Sequence, residues 1–488
     1  MQRTLSSSLL ALLCLLLVAG PSTLLVQAQD YRKFNMSGMH AFRGPVPNKN
    51  LKTLVSFGRG FLATFADPDC ASTPACRDEA VALTSKVGDC TGHTFYEGLG
   101  MMGLVCFGTP SISSVESDKA TLATLRALAL LEDVIIDKRV RLRLPPAPSN
   151  ETMAAASTGP EGEQQRRRQP ATPLMPGNPR QNNRQEAEIM ATPYNWGRDR
   201  MNQVYSSLDQ RTGTCASRGQ GVRIYVLDTG CRTSHVEFRT CLTCSSRRAT
   251  TESVRLSDGY RPYGTGGDNN GHGTHVAAFA AGLQVGMAPA ATVKCIKVLG
   301  GDGSGSLSGI VGGMDMVSQA KRASPNVPMV VNLSLGSGYS NTVNTAVGRL
   351  ASLGVMVVVA AGNEGQDASR TSPASASSAI TVGASTTSDR RTSWSNYGSV
   401  VDVYAPGESI LSASYSGDSY YVRMSGTSMA SPGVAGEVAC ILGAATGSRC
   451  SSSNTVVGKI RNPRVEVSQP GGSKPLAYVA EGSRVSCP

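Results

Sequence analysis

The sequence predicts an α/β protein whose parallel sheet carries helices on both faces, preceded by a smaller α+β domain. In the second half of the chain, apolar stretches without polar alternation occupy residues 222–227, 292–298, 329–333 and 355–360. Segments with helical patterning separate them, at residues 271–281, 306–322 and 341–353. Strands that are apolar throughout are typical of a parallel sheet buried on both faces.

Residues 29–144 have a second pattern, in which a strand, a helix, two short strands, a helix and a strand follow one another. The segments are 57–65, 75–86, two strands within 95–107 about Gly100 and Gly103, 117–131, and 134–144. This is the order of a ferredoxin-like α+β domain. A domain unrelated in role to the region that follows is the alternative.

Length and charge limit the class of protein. A chain of 488 residues is expected to hold two or more domains, and a hydrophobic content of 40% is enough for packed cores. The net charge of +11 would suit a nucleic-acid partner. However, arginines concentrate in one stretch without interleaved aromatic residues, at positions 139, 141, 143, 166–168, 180 and 184. We interpret that stretch as a basic, processed connector and expect no nucleic-acid binding.

The N-terminus has the pattern of a secretory signal. Residues 9–20 are apolar, a basic residue precedes them, and the small-residue site 26–28 ends the predicted signal peptide 1–28. A membrane anchor is the alternative, but Pro21 follows the apolar stretch at once. No later apolar run reaches the ~18 residues that a span requires. We therefore expect a secreted, extracellular protein without a membrane anchor.

Thirteen cysteines in a secreted chain predict disulfides. One leaves with the signal, four lie in residues 29–144 and eight in residues 191–488, so each part has an even number. The pairing stays open at this point. Cys295 lies on an apolar strand, where a free core thiol is the alternative. Cys241 and Cys244 have CxxC spacing, but without a second such pair we expect no zinc site.

Two segments predict covalent processing. Residues 145–190 are rich in Pro, Gln, Asn and Arg and lack hydrophobic periodicity, which is typical of a linker. We expect maturation to cut between Leu144 and Ala191, by self-cleavage, by a dibasic-specific convertase after Arg168, or by both. Sequons at Asn35 and Asn150 predict a glycoprotein, whereas the sequon at Asn332 lies on a predicted buried strand.

Polar residues of chemical interest stand at the ends of the predicted elements. Asp228 and Asn363 follow apolar strands, and His272 precedes a helix of small residues. Ser428 lies in the turn 425–432 before an apolar helix, where a serine alone would be an N-cap. Because parallel strands end at one edge of a sheet, Asp228 and Asn363 are expected at the same edge. Asp, His and Ser in this chain order match one known order of the Ser-His-Asp triad.

Four motifs carry a resemblance to a known family: LDTG at 227–230, GHGTH at 271–275, AGN at 361–363 and GTSMA at 426–430. With them the chain resembles the subtilisin-like serine peptidases, or subtilases, and more closely their proteinase K branch. The likeness runs from about residue 193 to about residue 450 and includes SWSNYG at 393–398. It implies a subtilisin-like fold for residues 191–488. It also implies that residues 29–144 are an inhibitory, chaperone-like prodomain.

The resemblance and the chemistry of these side chains together imply a role for each. Ser428 is expected to be the nucleophile, His272 the general base and Asp228 the residue that orients the imidazole. The Asn363 amide and the Ser428 backbone N–H are expected to bind the oxyanion. Taken singly, Asp228 and Asn363 could be turn residues. His272 could share a metal with His275, but the third ligand at metal-binding spacing is absent.

Two glycine-containing segments are similar to those that flank an extended peptide in this family, and small residues beside Asn363 are expected to wall a pocket. The expected substrate-binding residues are Gly303, Ser304, Gly305, Ser334, Leu335, Gly336, Ala361 and Gly362. Main-chain pairing tolerates many sequences. The small apolar wall favours an uncharged, hydrophobic or aromatic residue before the cleaved bond. Thr371 stands where proteinase K has an aromatic residue on the pocket floor, and a flexible loop is the alternative for residues 303–305.

The resemblance also implies a structural calcium site, although the reaction itself needs no cofactor. Asp402 with the carbonyls of Ser377 and Ala379 matches a site of the proteinase K branch, and oxygen ligands suit Ca²⁺. One carboxylate supplies little charge, so a strand-end role for Asp402 is the alternative. The chain departs from the family at Gly433, where histidine is usual, and in the positions of its cysteines.

The sequence therefore predicts a secreted serine endopeptidase that is made as a zymogen and hydrolyses extended polypeptides through an acyl-enzyme. We expect a monomer that takes its own prodomain as an intramolecular inhibitor. The alternative is a catalytically silent binding protein of the same fold that retains its prodomain. An acyl transferase is a third option, because ligation and hydrolysis share the acyl-enzyme.

Overall fold

The computed structural model describes residues 59–85, 90–106, 125, 128, 131–136, 139–145, 188–189, 193–211, 213–241, 245–247, 249–253, 267–444 and 453–478. Several predicted features lie outside these residues: the signal peptide 1–28, most of the linker 145–190 and of the helix 117–131, and the sequons at Asn35 and Asn150. Within the described part of the chain, no helix is long and apolar enough to cross a bilayer.

A four-stranded antiparallel sheet forms the N-terminal domain. Its elements are β1 (Arg59–Phe65), α1 (Pro74–Thr84), β2 (Cys90–Tyr96), β3 (Met101–Cys106) and β4 (Leu131–Ile136). The strands lie in the order β2-β3-β1-β4, so the first and third strands of the chain are central neighbours. The predicted α+β class of this region is confirmed.

Two boundaries in this domain differ from the prediction. The turn between β2 and β3 lies at residues 97–100, where Gly100 has φ +59°, and Gly103 is inside β3. The predicted strand 134–144 is two strands, β4 and β5 (Arg139–Arg141). β5 leaves the small sheet and pairs with a strand of the second domain. Residue alternation predicts a strand but does not say with which partner it pairs, which is why one strand was expected.

The second domain contains the remaining strands. They are β6 (Glu188–Ile189), β7 (Arg223–Asp228), β8 (Ala249–Ser253), β9 (Thr292–Lys297), β10 (Ser304–Ser306), β11 (Met329–Leu333), β12 (Ser337–Gly338), β13 (Val355–Ala360), β14 (Thr371–Ser372), β15 (Ile380–Ser385), β16 (Val403–Pro406), β17 (Ile410–Ala413), β18 (Tyr420–Met424), β19 (Arg461–Gln469) and β20 (Gly472–Ala477). Nine of them form one sheet in the order β19-β20-β16-β15-β13-β11-β7-β9-β8. Its pairs are parallel except β19 with β20.

Helices cover both faces of this sheet, as predicted. They are α2 (Trp196–Met201), α3 (His272–Ala281), α4 (Leu307–Ala323), α5 (Asn341–Ser352), α6 (Thr427–Ala444) and α7 (Ser453–Ile460). Val226 of β7 lies in the core that contains α3 and α6, whereas its neighbour Leu227 lies in the core that contains α4 and α5. Alternate residues of one strand thus enter two cores, which explains why residues 224–227 show no polar alternation.

The small domain packs on the second of these cores. Leu62, Tyr96, Leu99 and Met101 belong to the cluster formed with α4 and α5. The other face of the small sheet has its own core, which includes Phe61 and Phe65. β1 therefore contributes to two cores, and one face of the small domain is buried against the large one.

Three disulfides are present among the described residues: Cys70–Cys76, Cys215–Cys440 and Cys231–Cys295. The bond of Cys295 settles the alternative of a free core thiol. Cys231 follows the end of β7 and Cys295 lies in β9, so this bridge joins the turn after Asp228 to the neighbouring strand. Cys215–Cys440 ties the start of the domain to α6 across 225 residues.

Gly433, the departure from the family pattern in α6, has a packing explanation. A Cβ at this position would lie 3.0 Å from Met201 Sδ and 3.0 Å from Phe279 Cε1. These contacts are tighter than ordinary van der Waals packing. Side chains from α2 and α3 therefore occupy the space that a larger residue at position 433 would need.

Glu437 of α6 is an unusual core residue. It is completely buried, and neither carboxylate oxygen has a hydrogen-bond partner among the described residues. Burial raises its pKa well above the ordinary value of 4.5. The folded protein therefore holds this proton more tightly than the unfolded chain. The free energy of unfolding therefore decreases as the pH rises from about 4.5, the pKa of the unfolded carboxyl, to the raised pKa of the folded state.

We expect Glu437→Leu to raise the free energy of unfolding by about 1–3 kcal/mol, because it removes an unpaired buried polar group. The gain should be larger at pH 8 than at pH 5. As the pH rises, Glu437 ionises in the unfolded wild type and lowers its free energy of unfolding, whereas the leucine variant has no such group. Denaturant unfolding at both pH values measures this, with Ser428→Ala in both proteins to prevent self-digestion. An equal gain at the two pH values would show that Glu437 titrates normally.

Candidate active site

An aspartate and a histidine meet at the carboxyl end of β7. Asp228 is the last residue of β7, His272 is the first residue of α3, and both are buried. The imidazole Nδ1 lies 2.8 Å from Asp228 Oδ1 and 2.9 Å from Oδ2. The backbone N–H of Thr229 donates to the same Oδ1 at 2.7 Å. The carboxylate therefore favours the imidazole tautomer with its proton on Nδ1, which leaves Nε2 as the basic nitrogen.

Opposing effects act on the pKa of His272. Burial lowers it, but the charge and hydrogen bond of Asp228 and the charge of Asp268 outweigh burial, so the pKa is raised. His275 differs, because burial lowers its pKa to about 3 and its Nε2 donates to the carbonyl of Ile410 at 2.9 Å. His272 is thus prepared to accept a proton, whereas His275 is a neutral core residue.

Ser428 is the second residue of α6. Its Oγ donates to the carbonyl of Ser334 at 3.2 Å, and Nε2 of His272 has no hydrogen-bond partner among the described residues. The serine–histidine hydrogen bond is therefore not formed in this conformation. Because Ser428 is in the first turn, its backbone N–H has no intrahelical acceptor and can bind another oxygen.

Asn363 lies in the loop after β13, and its side-chain amide is held in one orientation. Its Oδ1 accepts from the backbone N–H of Thr427 at 2.8 Å and from the Thr427 hydroxyl at 2.9 Å. The opposite end of the amide, Nδ2, donates to the backbone carbonyl of Arg143 at 2.5 Å. Asn363 thus already binds a peptide carbonyl beside Ser428.

That carbonyl belongs to an extended segment that continues from the small domain. β5 (Arg139–Arg141) pairs antiparallel with β10 (Ser304–Ser306), and the N–H of Leu142 donates to the carbonyl of Gly303 at 2.8 Å. The side chain of Leu142 lies so close to Gly303 that a Cβ there would be 3.2 Å from Leu142 Cδ1. The predicted segment 303–305 therefore lies beside an extended chain, in a paired strand.

The other predicted binding residues surround a pocket beside Asn363. Its lining includes Ser334, Leu335, Gly336, Ala361, Gly362 and Ser428. The buried hydroxyl of Thr371 also lines it and donates to the carbonyl of Ala368 at 3.0 Å. The Arg143 guanidinium lies 3.3 Å from the Glu364 carboxylate at the pocket entrance, but 64% of that arginine side chain is exposed. Arg143 therefore does not fill the pocket.

Asp268, which was not predicted as a site residue, supports the helix that carries His272. Its carboxylate accepts from the hydroxyl of Thr229 at 2.9 Å and from the N–H and hydroxyl of Thr274 at 2.9 and 2.7 Å. The turn after β7 and the first turn of α3 are thereby joined. An aspartate shortly before a predicted helix is a turn and capping signal that could have identified it.

Lys297, also missed, is a buried cation at the end of β9. Its Nζ donates to the carbonyl of Thr229 and, at 2.8 Å, to Asn269 Oδ1. Burial lowers its pKa, while the charges of Asp268 and Asp228 act in the opposite direction. The ammonium partly balances the charges of buried Asp228 and half-buried Asp268. A lysine that ends an apolar strand was the sequence signal.

The expected calcium residues lie just before β15 and β16 in the chain. One oxygen of Asp402 accepts from the N–H of Thr381 at 2.8 Å, and burial raises the pKa of this carboxyl. Ala379 is buried nearby in sequence, whereas Ser377 is exposed. The described residues contain no group of three acidic, histidine or cysteine side chains suited to a metal. The expected ligands, one carboxylate and two backbone carbonyls, are oxygen atoms, the ligand type that Ca²⁺ takes.

Comparison with known protein families decides the classification. The sequence profile of the subtilase family matches residues 219–462, half of the chain. This chain belongs to the subtilase family. The matched region contains Asp228, His272, Asn363 and Ser428, while the small N-terminal domain lies before it.

Known proteins similar to this subtilase include an extracellular serine proteinase of Thermus sp. (strain Rt41A), which is 43% identical over 259 residues. A cuticle-degrading serine protease of Arthrobotrys oligospora is 43% identical over 257 residues. Each match covers 52% of this chain and spans 58% and 60%, respectively, of the relative's length. The likeness is therefore to part of each relative.

A solved structure agrees with the fold. The crystal structure of a cold-adapted subtilisin-like serine proteinase is similar with a TM-score of 0.50 and 38% identity. The match covers 58% of this subtilase and 97% of that chain. The predicted subtilisin-like fold class is thereby confirmed.

Proposed function

We propose that this subtilase is a secreted serine endopeptidase, made as a zymogen, that hydrolyses extended polypeptides. The observation that carries the proposal is the contact of Asn363 Nδ2 with the carbonyl of Arg143. A peptide carbonyl in an extended segment lies against a fixed amide donor in a pocket that Ser428 also lines. With the hydrogen-bonded Asp228–His272 pair, these groups support acyl transfer as the reaction.

The proposed reaction uses each of these groups. Ser428 Oγ turns from the carbonyl of Ser334 to His272 Nε2, which takes its proton as Oγ attacks the substrate carbonyl. Asp228 stabilises the imidazolium, and the Asn363 amide and Ser428 N–H bind the oxyanion. The imidazolium then gives its proton to the leaving amine. Water hydrolyses the acyl-enzyme by the same steps, and no cofactor takes part.

We propose that residues 29–144 inhibit the enzyme from which they are cut. The contacts of Arg143 with Asn363 and of β5 with β10 fill the cleft with the chain's own segment. The Asn363 contact points to self-cleavage after Arg143. That cut lies one bond before the predicted interval, so the removed part would end at Arg143 and Leu144 would be the new N-terminus. Because the segment belongs to the same chain, its effective concentration at the site is high. The bond after Arg143 can therefore be cleaved although arginine is not the preferred residue. For other substrates, the small apolar walls support the predicted uncharged, hydrophobic preference.

Arg349 of α5 is expected to control release of this inhibitor. Its guanidinium donates to the carbonyls of Leu99, Gly100 and Phe65 at 2.6, 2.7 and 3.0 Å. We expect Arg349→Ala to shorten the lag between self-cleavage and peptidase activity by about tenfold or more, since hydrogen bonds to a charged group contribute about 1.5–3 kcal/mol. The lag is measured on the purified, self-cleaved protein.

Arg322→Ala is the matched control for this prediction. Arg322 is in the same interface, but its contact with the Gly98 carbonyl is 3.5 Å long, so its removal should change the lag little. Equal lags in Arg349→Ala and the wild type would show that the small domain is held by other contacts.

Secretion, disulfide formation and a monomeric state complete the proposal. The three disulfides fit an oxidising compartment.

We also propose a structural calcium ion at Asp402, with the carbonyls of Ser377 and Ala379. We expect removal of calcium by EDTA to lower Tm by about 5–10 °C, when the free calcium concentration before removal is about a hundredfold above the Kd of the site. Asp402→Asn should make Tm insensitive to calcium; equal wild-type Tm values with and without calcium would exclude the site.

One experiment tests the enzyme proposal against the silent binding protein. The secreted protein is treated with a fluorophosphonate probe, and its N-terminus is sequenced. Labelling at Ser428 in a form that begins at or after Leu144 is expected. Ser428→Ala is the control for specific labelling. An unlabelled secreted protein that retains residues 29–144 would instead support the binding protein.

A further inference from the structure

Asn396, in the SWSNYG segment, is a buried residue whose side chain reaches the loop of Asn363. Its Nδ2 donates to the carbonyl of Ala361 at 2.9 Å and to Glu364 Oε2 at 2.8 Å. Its Oδ1 accepts from the backbone N–H groups of Glu364 and Gln366 at 3.2 and 3.0 Å. All four contacts are with residues 361–366, which we name the oxyanion loop.

The loop is shaped to receive this side chain. Gly362 has φ +105°, and a Cβ at this position would lie 2.3 Å from Asn396 Nδ2. The backbone N–H of Asn396 also donates to the carbonyl of Gly362 at 3.0 Å. Glycine is therefore required twice, for its backbone conformation and for the approach of the amide. Asn396 occupies the place where a side chain at position 362 would be.

Two separate anchors fix the amide of Asn363. Thr427 binds its Oδ1 and so decides which end of the amide faces the cleft. Thr427 does not fix the backbone from which the side chain projects. Asn396 does this, because it binds backbone groups on both sides of Asn363: the carbonyl of Ala361 and the N–H of Glu364.

We propose that Asn396 is a positioning residue for the oxyanion donor. It holds the oxyanion loop so that Asn363 Nδ2 stands at donor distance from the substrate carbonyl, and it also binds the Glu364 carboxylate, which lines the same pocket. The inference rests on the proposed peptidase activity. Since displacement of a positioned group by about 1 Å can cost about 100-fold in rate, loss of Asn396 should act on kcat.

Asn462 provides a matched control. It is also buried, its Nδ2 donates to the carbonyls of Gln203 and Val204, and its Oδ1 accepts from the N–H groups of Arg464 and Val465. Like Asn396 it uses both ends of its amide, but none of its contacts is with the oxyanion loop. Asn462→Ala therefore reproduces the loss of a buried asparagine without the proposed effect on the reaction.

The test compares Asn396→Ala, Asn396→Asp and Asn462→Ala in the full chain after self-cleavage. Active sites are titrated to completion with a fluorophosphonate, and kcat, KM and the affinity for a peptide aldehyde inhibitor are measured. The aldehyde forms a hemiacetal oxyanion with the nucleophile, so its binding reports the donor directly. Both Asn396 variants should lose about 10- to 100-fold in kcat and a similar factor in aldehyde affinity, with KM within about threefold of the wild type.

A second change distinguishes positioning from loss of fold. In Asn396→Asp, an oxygen replaces the Nδ2 donor and faces the Glu364 carboxylate, which repels it. The double variant Asn396→Asp/Glu364→Gln supplies an amide at position 364 that can donate to this oxygen, so it should recover part of kcat. Wild-type kcat in the Asn396 variants, or equal losses in Asn462→Ala, would overturn the inference. So would failure of both Asn396 variants to reach titratable amounts while Asn462→Ala does. A wild type that neither labels nor hydrolyses would instead overturn the peptidase proposal.

Discussion

Replacing His272 with alanine is expected to lower kcat for peptide hydrolysis by about a million-fold, because Ser428 then has no base to take its proton. The structure has Nδ1 of His272 bound to Asp228, while Nε2 has no partner among the described residues, so this ring is the available proton acceptor at the site. Since the variant cannot cleave itself, it is first processed by immobilised wild-type enzyme. kcat is then measured after the immobilised enzyme has been removed.

The double variant His272→Ala/Ser428→Ala should be little worse than either single variant, because the two residues act in one step. His235→Ala is the control. His235 is another buried histidine, but its Nε2 donates to the carbonyl of Tyr420, so kcat should stay near the wild-type value. If His272→Ala retains more than a small fraction of wild-type kcat, the proton is taken by another group.

The second large effect is expected at Asn363. Asn363→Ala should lower kcat by about 100- to 1000-fold with little change in KM, because the amide binds charge that develops only in the transition state. Steady-state kinetics of the self-cleaved enzyme measures both constants. The orientation imposed by Thr427 makes Nδ2, the donor, face the cleft.

Asn363→Asp provides a contrast at constant size. The new carboxylate keeps an acceptor for Thr427 but turns a negative oxygen toward the oxyanion, so its loss of kcat should exceed that of Asn363→Ala. A fall of less than threefold in Asn363→Ala would show that the oxyanion is bound elsewhere. A rise in KM with unchanged kcat would assign Asn363 to substrate binding alone.

Much of the fold could be predicted because burial is written into the local pattern. β11 and β13 have the predicted bounds, since strands buried on both faces are apolar at nearly all positions. The helices α4 and α5 begin after Ser306 and Ser340, whose hydroxyls accept from the N–H groups of Gly309 and Val343. Such capping residues are local signals that a sequence displays directly.

The candidate site was predictable in part. Asp228, His272, Asn363 and Ser428 stand at element ends, and the order of a parallel sheet brings such ends together. Asp268, Lys297 and Asn396 escaped notice because their partners are distant in the chain or lie in other loops. A buried polar residue shows its purpose only through the groups it satisfies.

The layered α/β architecture and the candidate reactive side chains could be predicted from the sequence alone, because apolar periodicity and residue chemistry are local properties. Three further features follow from tertiary contacts: β5 leaves its own sheet for β10, Cys231 pairs with Cys295, and Asn396 forms hydrogen bonds with residues 361–366. Each of these depends on which surfaces meet. Many partners satisfy a strand, a thiol or an amide equally well, and packing of the whole chain selects one.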